Sequence, residues 1–189
     1  RSIAASRPPV STTQNFSIVR ACAATVNTLP DDVTQLIVSI APDWNAPRGK
    51  LQWFERANDT WRAVSEAVPV AYGRDGLAWG RGIFAIEEEG PRKIEGDMRA
   101  PAGVFSLGKI FGSDPAPPPG TTFPYHQVTA ADCWIEDPAH PEYNRHVVVD
   151  PANPPAWYER ERMKQNDPAF RWRVEIRHNA DPPVSGAGS

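Results

Sequence analysis

The residues of this chain that could perform covalent chemistry are two cysteines, Cys22 and Cys133. They are too few for a disulfide scaffold and lack the C-x-x-C spacing of a zinc site. A thiol attacks only as the thiolate, which neighbouring negative charge disfavours, and Cys133 stands close to Glu136 and Asp137. The sequence therefore predicts a structural Cys133, either as a separate thiol or in a disulfide with Cys22. In the chain-entropy model such a bond contributes roughly 4 to 5 kcal/mol.

The four histidines are the candidate bases and metal ligands. His126 and His140 lie in proline-rich loops and are predicted to be surface residues. His146 lies in a strand-like segment, and the alternation allows its side chain on either face of the strand. No pair has the spacing of a metal site on a helix, so the sequence predicts no metal and no cofactor. His178 and Asn179 stand at the end of a predicted strand, where a histidine can cap the strand end.

A group of charged residues forms a second candidate site, in the stretch KIEGDMRAPAGVFSLG of residues 93–108. Pro101 and Gly103 are expected to turn the chain between these charges and an apolar strand. Such a group is either a solvated edge or a binding surface. We call it the polar rim, and its members are Lys93, Glu95, Asp97 and Arg99.

The elements that must position these residues are mostly strands. Alternating and β-branched segments predict core strands, and Asn58-Asp59 predicts a hairpin turn. The predicted strands are 35–40, 50–56, 60–72, 103–107 and 171–177.

Other segments predict a helix and two irregular regions. Residues 156–165 (AWYERERMKQ) are predicted to form one covering helix, because Trp157 and Met163 can share a face. Four glycines within residues 73–82 indicate tight turns or close backbone approach, and five prolines within residues 114–124 indicate an extended loop. The pattern favours a mainly β fold with one or two covering helices.

Composition limits the classes of function. A chain of 189 residues with 40% hydrophobic residues suits one domain, predicted to span 16–189 after a flexible lead-in, 1–15, and to be monomeric. A net charge of -3 argues against a nucleic-acid partner. No apolar run is long enough to span a bilayer, and if the protein is exported its signal peptide is expected to have been removed.

Four segments resemble L,D-transpeptidases of the YkuD type. Within residues 93–108, the segment EGDMRAPAGVFSLG is similar to the family pattern K-x-E-G-D-x-x-(T/A)-P-x-G-x-F. Three further segments resemble one branch of the family in the same order: GRDGLAWGRG at 73–82, CWIEDPAHPEYNRHV at 133–147 and IRHNADPPVSGAGS at 176–189. The resemblance covers roughly residues 50 to 189.

The resemblance implies an extracytoplasmic enzyme with a β-sandwich or barrel fold that remodels peptidoglycan without a cofactor. In that family a cysteine thiolate attacks the stem tetrapeptide, D-Ala leaves, and an amine or water resolves the thioester. His178 and Asn179 precede the loop that leads into the catalytic strand, which implies that they line the cleft. With the polar rim they form the expected substrate-binding set: His178, Asn179, Lys93, Glu95, Asp97 and Arg99.

The chain departs from the family pattern at its end. In the family, Gly-Ala-Gly-Ser precedes an apolar strand with the catalytic histidine and then a Gly-Cys segment with the nucleophile. Both are expected beyond Ser189, so no residue of this chain inherits a catalytic role. The alternative hypothesis is a catalytically inactive β domain that binds cell wall or carbohydrate through its seven tryptophans.

Overall fold

The computed structural model describes residues 29–58, 60–165 and 167–189, and these residues form a mainly β fold. The strands are β1 (Gln35–Ile40), β2 (Arg48–Ala57), β3 (Thr60–Ala63), β4 (Val68–Ala71), β5 (Leu77–Trp79), β6 (Ala100–Ala102), β7 (Leu107–Gly112), β8 (Tyr125–Gln127), β9 (Asp132–Trp134), β10 (His146–Val148) and β11 (Trp172–Ile176). One α-helical turn, α1, spans Tyr158–Glu161, and a 3-10 turn spans Pro168–Phe170.

The N-terminal sheet is built around β2, which pairs antiparallel with β1, β3 and β4. The predicted strand 35–40 and the predicted hairpin are confirmed, and Asn58 has the positive φ of +50° that a tight turn requires. Ile37 pairs with Trp53 across this sheet, and both side chains are exposed. One face of the sheet is therefore solvated, as antiparallel sheets often are.

The glycine-rich residues 73–82 run beside the polar rim segment, where β5 pairs parallel with β6. A Cβ on Gly82 would lie 2.1 Å from the carbonyl oxygen of Val104, which confirms the predicted close backbone approach. The predicted strand at 103–107 is wrong, because Gly103 has a φ of +145° and separates β6 from β7. Only Leu107 of that segment belongs to a strand.

The buried core surrounds β9 rather than the predicted strands. Cys133 packs with Ile135 and Tyr158 on one side, and Trp134 packs against Phe111 and its neighbours on the other. Adjacent residues of a strand point to opposite faces, so β9 is covered twice. The prediction that the N-terminal strands form the core is wrong, since no residue of β1 to β4 belongs to the buried hydrophobic set of the described residues.

The predicted helix over 156–165 is too long. The helix ends after Glu161, because Arg162 is extended and forms an antiparallel bridge with Cys133. The backbone N–H of Met163 then donates to the carbonyl of Asp132 at 2.8 Å. Pairing with β9 therefore overrides the helical pattern of the sequence.

A three-stranded sheet carries β7 at its centre, antiparallel to β11 and parallel to β8. This confirms the predicted strand at 171–177, and residues 114–124 contain no strand or helix, as predicted. Among the described residues the four sheets remain open and none closes into a barrel. No helix in the described part of the chain is long and apolar enough to cross a membrane.

Candidate functional site

Asp97 is the centre of the hydrogen bonds that hold the polar rim together. Its carboxylate accepts hydrogen bonds from the Lys93 ammonium at 2.7 Å and from the backbone N–H groups of Ile94 and Arg99 at 3.0 and 2.9 Å. The side chains of Lys93 and Asp97 are only 8% and 11% exposed. Burial by itself would raise the pKa of Asp97, but the bonds from Lys93, Ile94 and Arg99 lower it overall. The hypothesis of a solvated edge is therefore wrong for these two residues.

Arg99 joins the rim to the loop that follows β1. Its guanidinium donates to the carbonyl oxygens of Trp44 and Leu77 at 2.8 and 2.9 Å and to the side chain of Asn45 at 2.8 Å. The guanidinium thus donates to three acceptors of the protein, which favours a structural role for Arg99.

Glu95 joins the rim to two distant segments. Its carboxylate accepts the phenolic hydrogen bond of Tyr143, and its backbone N–H donates to the carbonyl of Gly186 at 2.9 Å. Burial, followed by the bond to Glu95, raises the pKa of Tyr143 far above its usual range. Tyr143 therefore stays protonated and acts as a donor.

His178 lies at the centre of the site, only 5% exposed and edge-on to Phe105. Its Nδ1 lies 3.1 Å from the backbone nitrogen of Arg81, and its Nε2 lies 3.2 Å from the carbonyl oxygen of Ala187. An amide N–H can only donate and a carbonyl can only accept, so the proton is on Nε2. Burial lowers the pKa of His178, and the charge of Lys93 lowers it further. The ring is therefore neutral at neutral pH.

Asn179 closes the loop that follows β11. It is 2% exposed and has a φ of +50°. Its amide nitrogen donates to the carbonyls of Val184 and Gly188, each at 3.0 Å, and its amide oxygen accepts from the backbone of Val184 at 2.9 Å. Asn144 supports the same turn by donating to the carbonyls of His178 and Asn179 at 2.9 and 2.8 Å.

We call the group formed by Lys93, Glu95, Tyr143, Asn144, His178 and Asn179 the His178 network. It fixes residues 184–188, and a Cβ on Gly188 would lie 2.8 Å from the Lys93 side chain and 3.0 Å from His178 Nε2. Both ring nitrogens of His178 are bonded to backbone, so the ring cannot accept a substrate proton without losing a bond. The network is therefore suited to positioning the chain rather than to acid–base chemistry.

The Cys133 thiol is fully buried in the core. Burial raises its pKa, and the charges of Asp132 and Glu161 raise it further. Negative charge therefore disfavours the thiolate, as predicted, but the carboxylates responsible are not the predicted pair, Glu136 and Asp137. A buried neutral thiol is a poor nucleophile. Cys22 lies outside the described residues, so its disulfide with Cys133 stays a prediction.

The remaining histidines differ in part from expectation. His140 packs on Trp157 and accepts a backbone hydrogen bond from Glu142. His126 is not a loop residue, because it lies within β8, and His146 points toward it from β10. This contact depends on how β8 lies against the β9–β10 pair of a different sheet, which no local sequence pattern indicates.

Comparisons with models of protein families, with curated proteins and with solved structures found no match to this chain.

Stability should depend on pH through His178. Its pKa is lowered in the folded state, so the unfolded chain takes up the proton first. The contribution of neutral His178 is complete above its unfolded pKa, about 6.5, and is lost as pH falls toward the folded pKa. The free energy of unfolding is measured by urea titration from about pH 7.5 to about pH 5, a range that brackets the unfolded pKa. In the parent it should fall across this range, and His178→Gln should remove the part of the fall that is due to His178. The control His140→Gln should retain it, and parallel curves for the parent and His178→Gln would contradict the assignment.

Proposed function

We propose that this chain carries most of a peptidoglycan L,D-transpeptidase domain with the YkuD-type fold. Such an enzyme transfers the acyl group of a stem tetrapeptide through a cysteine thioester, either to an amine or to water. The protein would act outside the cytoplasm, where its substrate lies. The observation that supports the proposal most is that all four segments of the resemblance meet in the His178 network.

Each segment contributes a distinct part of the network. Residues 73–82 supply the backbone N–H that fixes the His178 ring, and residues 93–108 supply Lys93 and Glu95. Residues 133–147 supply the tyrosine and asparagine that bond to Glu95 and to the turn, and residues 176–189 supply the turn itself. Segments far apart in a sequence have no local reason to share one buried polar group. Their convergence is what a common architecture around one cleft would produce.

The network also suits the place at which the resemblance puts the chemistry. It holds Gly188 against His178, immediately before Ser189. In the family, the strand with the catalytic histidine follows this Gly-Ala-Gly-Ser segment. We therefore propose that the network sets the starting position of the catalytic strand. Acyl transfer requires the nucleophile, the base and the carbonyl to be positioned accurately, because small displacements from the reactive geometry slow the reaction.

The predicted substrate-binding residues take different parts in this proposal. Lys93, Asp97 and Arg99 bond to groups of the protein itself, which favours a supporting role. His178 and Asn179 likewise bond mainly to backbone. Substrate contact by any of the six residues stays a prediction.

The alternative of a carbohydrate-binding module has less support from the tryptophans. Trp44 and Trp79 pack edge-to-face with ring centroids 4.9 Å apart, and Trp134 packs against the core. Trp157 packs edge-on against His140, and Trp172 lies beside Tyr125. These five rings serve internal packing, whereas a sugar platform requires exposed faces, and Trp53 is the exception at 43% exposed.

Turnover of a stem peptide tests the proposal. The product of the gene, expressed to its natural end, should release D-Ala from a disaccharide tetrapeptide and form either a cross-linked dimer or a tripeptide, as followed by mass spectrometry. Residues 1–189 alone should leave the peptide unchanged. A folded full gene product without turnover, which still binds peptidoglycan in a sedimentation assay, would favour the binding module instead.

A further inference from the structure

Two histidines and one aspartate from three strands converge on one point beside the core. Nε2 of His126 lies 2.6 Å from Oδ1 of Asp132, and Nε2 of His146 lies 2.7 Å from the same oxygen. The three ligating atoms all lie within 4.8 Å of one another. His126 belongs to β8, Asp132 begins β9 and His146 begins β10. Strands of two different sheets thus bring together donors that lie 6 and 14 residues from Asp132 along the chain.

The surroundings of this group are mostly apolar, with one open side. Asp132 is 2% exposed, and the side chains of His146 and His126 are 14% and 34% exposed. The ring of Phe111 packs edge-on against both imidazoles, with centroids 5.0 Å from His146 and 5.7 Å from His126. His126 is therefore the more exposed of the two histidines.

The carboxylate is fixed from behind. Oδ2 of Asp132 accepts hydrogen bonds from the backbone N–H of Thr129 at 2.7 Å and from its hydroxyl at 2.8 Å. The other oxygen is thereby directed at the two imidazoles. Protein metal sites commonly have such partners behind a ligating carboxylate, since they orient it and limit its rotation.

We propose that His126, Asp132 and His146 form a binding site for a divalent transition metal ion, with Zn²⁺ as the best match. Imidazole nitrogen and carboxylate oxygen are ligands that zinc takes at about 2.0–2.2 Å. Three protein ligands leave a fourth, tetrahedral position for water, on the exposed side of His126. Each imidazole then carries its remaining proton on Nδ1 and presents the Nε2 lone pair to the metal.

The proposal revises the prediction that the chain has no metal site. That prediction considered ligand spacing along a helix, whereas these ligands come from three strands of two sheets. It is also independent of the proposed acyl transfer, because the chemistry of a thioester requires no metal. A metal here would cross-link β8, β9 and β10 and stabilise the fold that carries the His178 network.

Metal binding by the full chain tests the proposal. The protein is stripped with a chelator, dialysed and titrated with ZnCl₂ in a calorimeter, and its metal content is measured by mass spectrometry. We expect about one equivalent of Zn²⁺ per chain, together with a rise in the unfolding temperature. His126→Gln and His146→Gln should each abolish this binding, and Thr129→Val should weaken it by about 10–100-fold.

Matched controls make the outcome decisive. His140→Gln, which changes a histidine outside the group, should bind Zn²⁺ like the parent. Circular dichroism of the metal-free proteins verifies folding, and His126→Gln, at the more exposed position, replaces His146→Gln if the latter does not fold. The proposal is overturned if the parent binds no Zn²⁺, if binding survives in a folded His126→Gln variant, or if His140→Gln loses binding equally.

Discussion

Asn179→Ala is expected to lower the free energy of unfolding by about 3 kcal/mol or more, the largest loss for any single substitution in the His178 network. The side chain satisfies two backbone carbonyls and one backbone N–H of the loop that it closes. Alanine would leave the Gly188 carbonyl and the Val184 N–H without this partner, whereas the Val184 carbonyl keeps the N–H of Ala187. Each buried unpaired group costs about 1–3 kcal/mol. Alanine would also be less favourable than asparagine at a φ of +50°.

Urea denaturation followed by fluorescence measures this loss. The matched control is Asn153→Ala, which truncates an exposed asparagine and should change stability by less than about 0.5 kcal/mol. Amide exchange should also become faster in residues 184–188 of the Asn179→Ala variant. Equal stability losses for the two variants would show that the loop does not depend on Asn179.

Asp97→Ala is expected to lower the free energy of unfolding by about 2 to 4 kcal/mol. It removes the ionic partner of the Lys93 ammonium, whose side chain is 8% exposed and which keeps its bond to the Ile94 carbonyl at 2.9 Å. It also leaves the backbone N–H groups of Ile94 and Arg99 without their acceptor. An unpaired charge in the interior costs more than a broken surface ion pair. The control Asp75→Ala removes such a surface pair and should cost less than about 1 kcal/mol.

A double-mutant cycle and a pH series separate the causes of this loss. Lys93→Met in the Asp97→Ala background should recover part of the stability, because it removes the unpaired charge. The lowered pKa of Asp97 means that its contribution is complete above its unfolded pKa, near 4, and is lost as pH falls below that value. The difference between parent and Asp97→Ala should therefore shrink in acid. A difference that is constant down to low pH would exclude the ionised carboxylate as its source.

Local patterns predicted the parts of the fold in which neighbours along the chain decide the structure. β1, the hairpin around Asn58 and β11 each form where alternation and turn residues placed them. The glycines of 73–82 likewise allow the predicted close approach. Each of these features depends on a few consecutive residues.

Partners distant in sequence decided the parts that were not predicted. The helix ends at Glu161 because Arg162 pairs with Cys133, and the core forms around β9 because two clusters cover that strand. The environment of Asp97 is different, because its partners are near in sequence: a lysine four residues earlier and backbone N–H groups that only the folded turn aligns. A charge pattern alone does not distinguish such a turn from an exposed edge.

Sequence patterns predict some residues of the candidate site and none of their contacts. The resemblance implies that His178 and Asn179 line the cleft, which stays a prediction, and the structure places both in the network that fixes residues 184–188. Tyr143 and Asn144 have no signal of their own beyond their place in a similar segment, and no sequence pattern marks Asp132 as a ligand. The roles of Tyr143 and Asn144 follow from contacts between residues 34 to 48 positions apart. The role of Asp132 in the proposed metal site follows from the approach of three strands to one another.

The most direct test of the central claim is the intact mass of the protein after incubation with a carbapenem, which traps a cysteine acyl-enzyme. The product of the gene, expressed to its natural end, should gain one adduct, and Cys133→Ser in that protein should keep it, because the Cys133 thiol is buried and its pKa is raised. Residues 1–189 alone should gain none. An adduct on residues 1–189 that disappears in Cys133→Ser, or a folded full gene product that gains no adduct, would contradict the account.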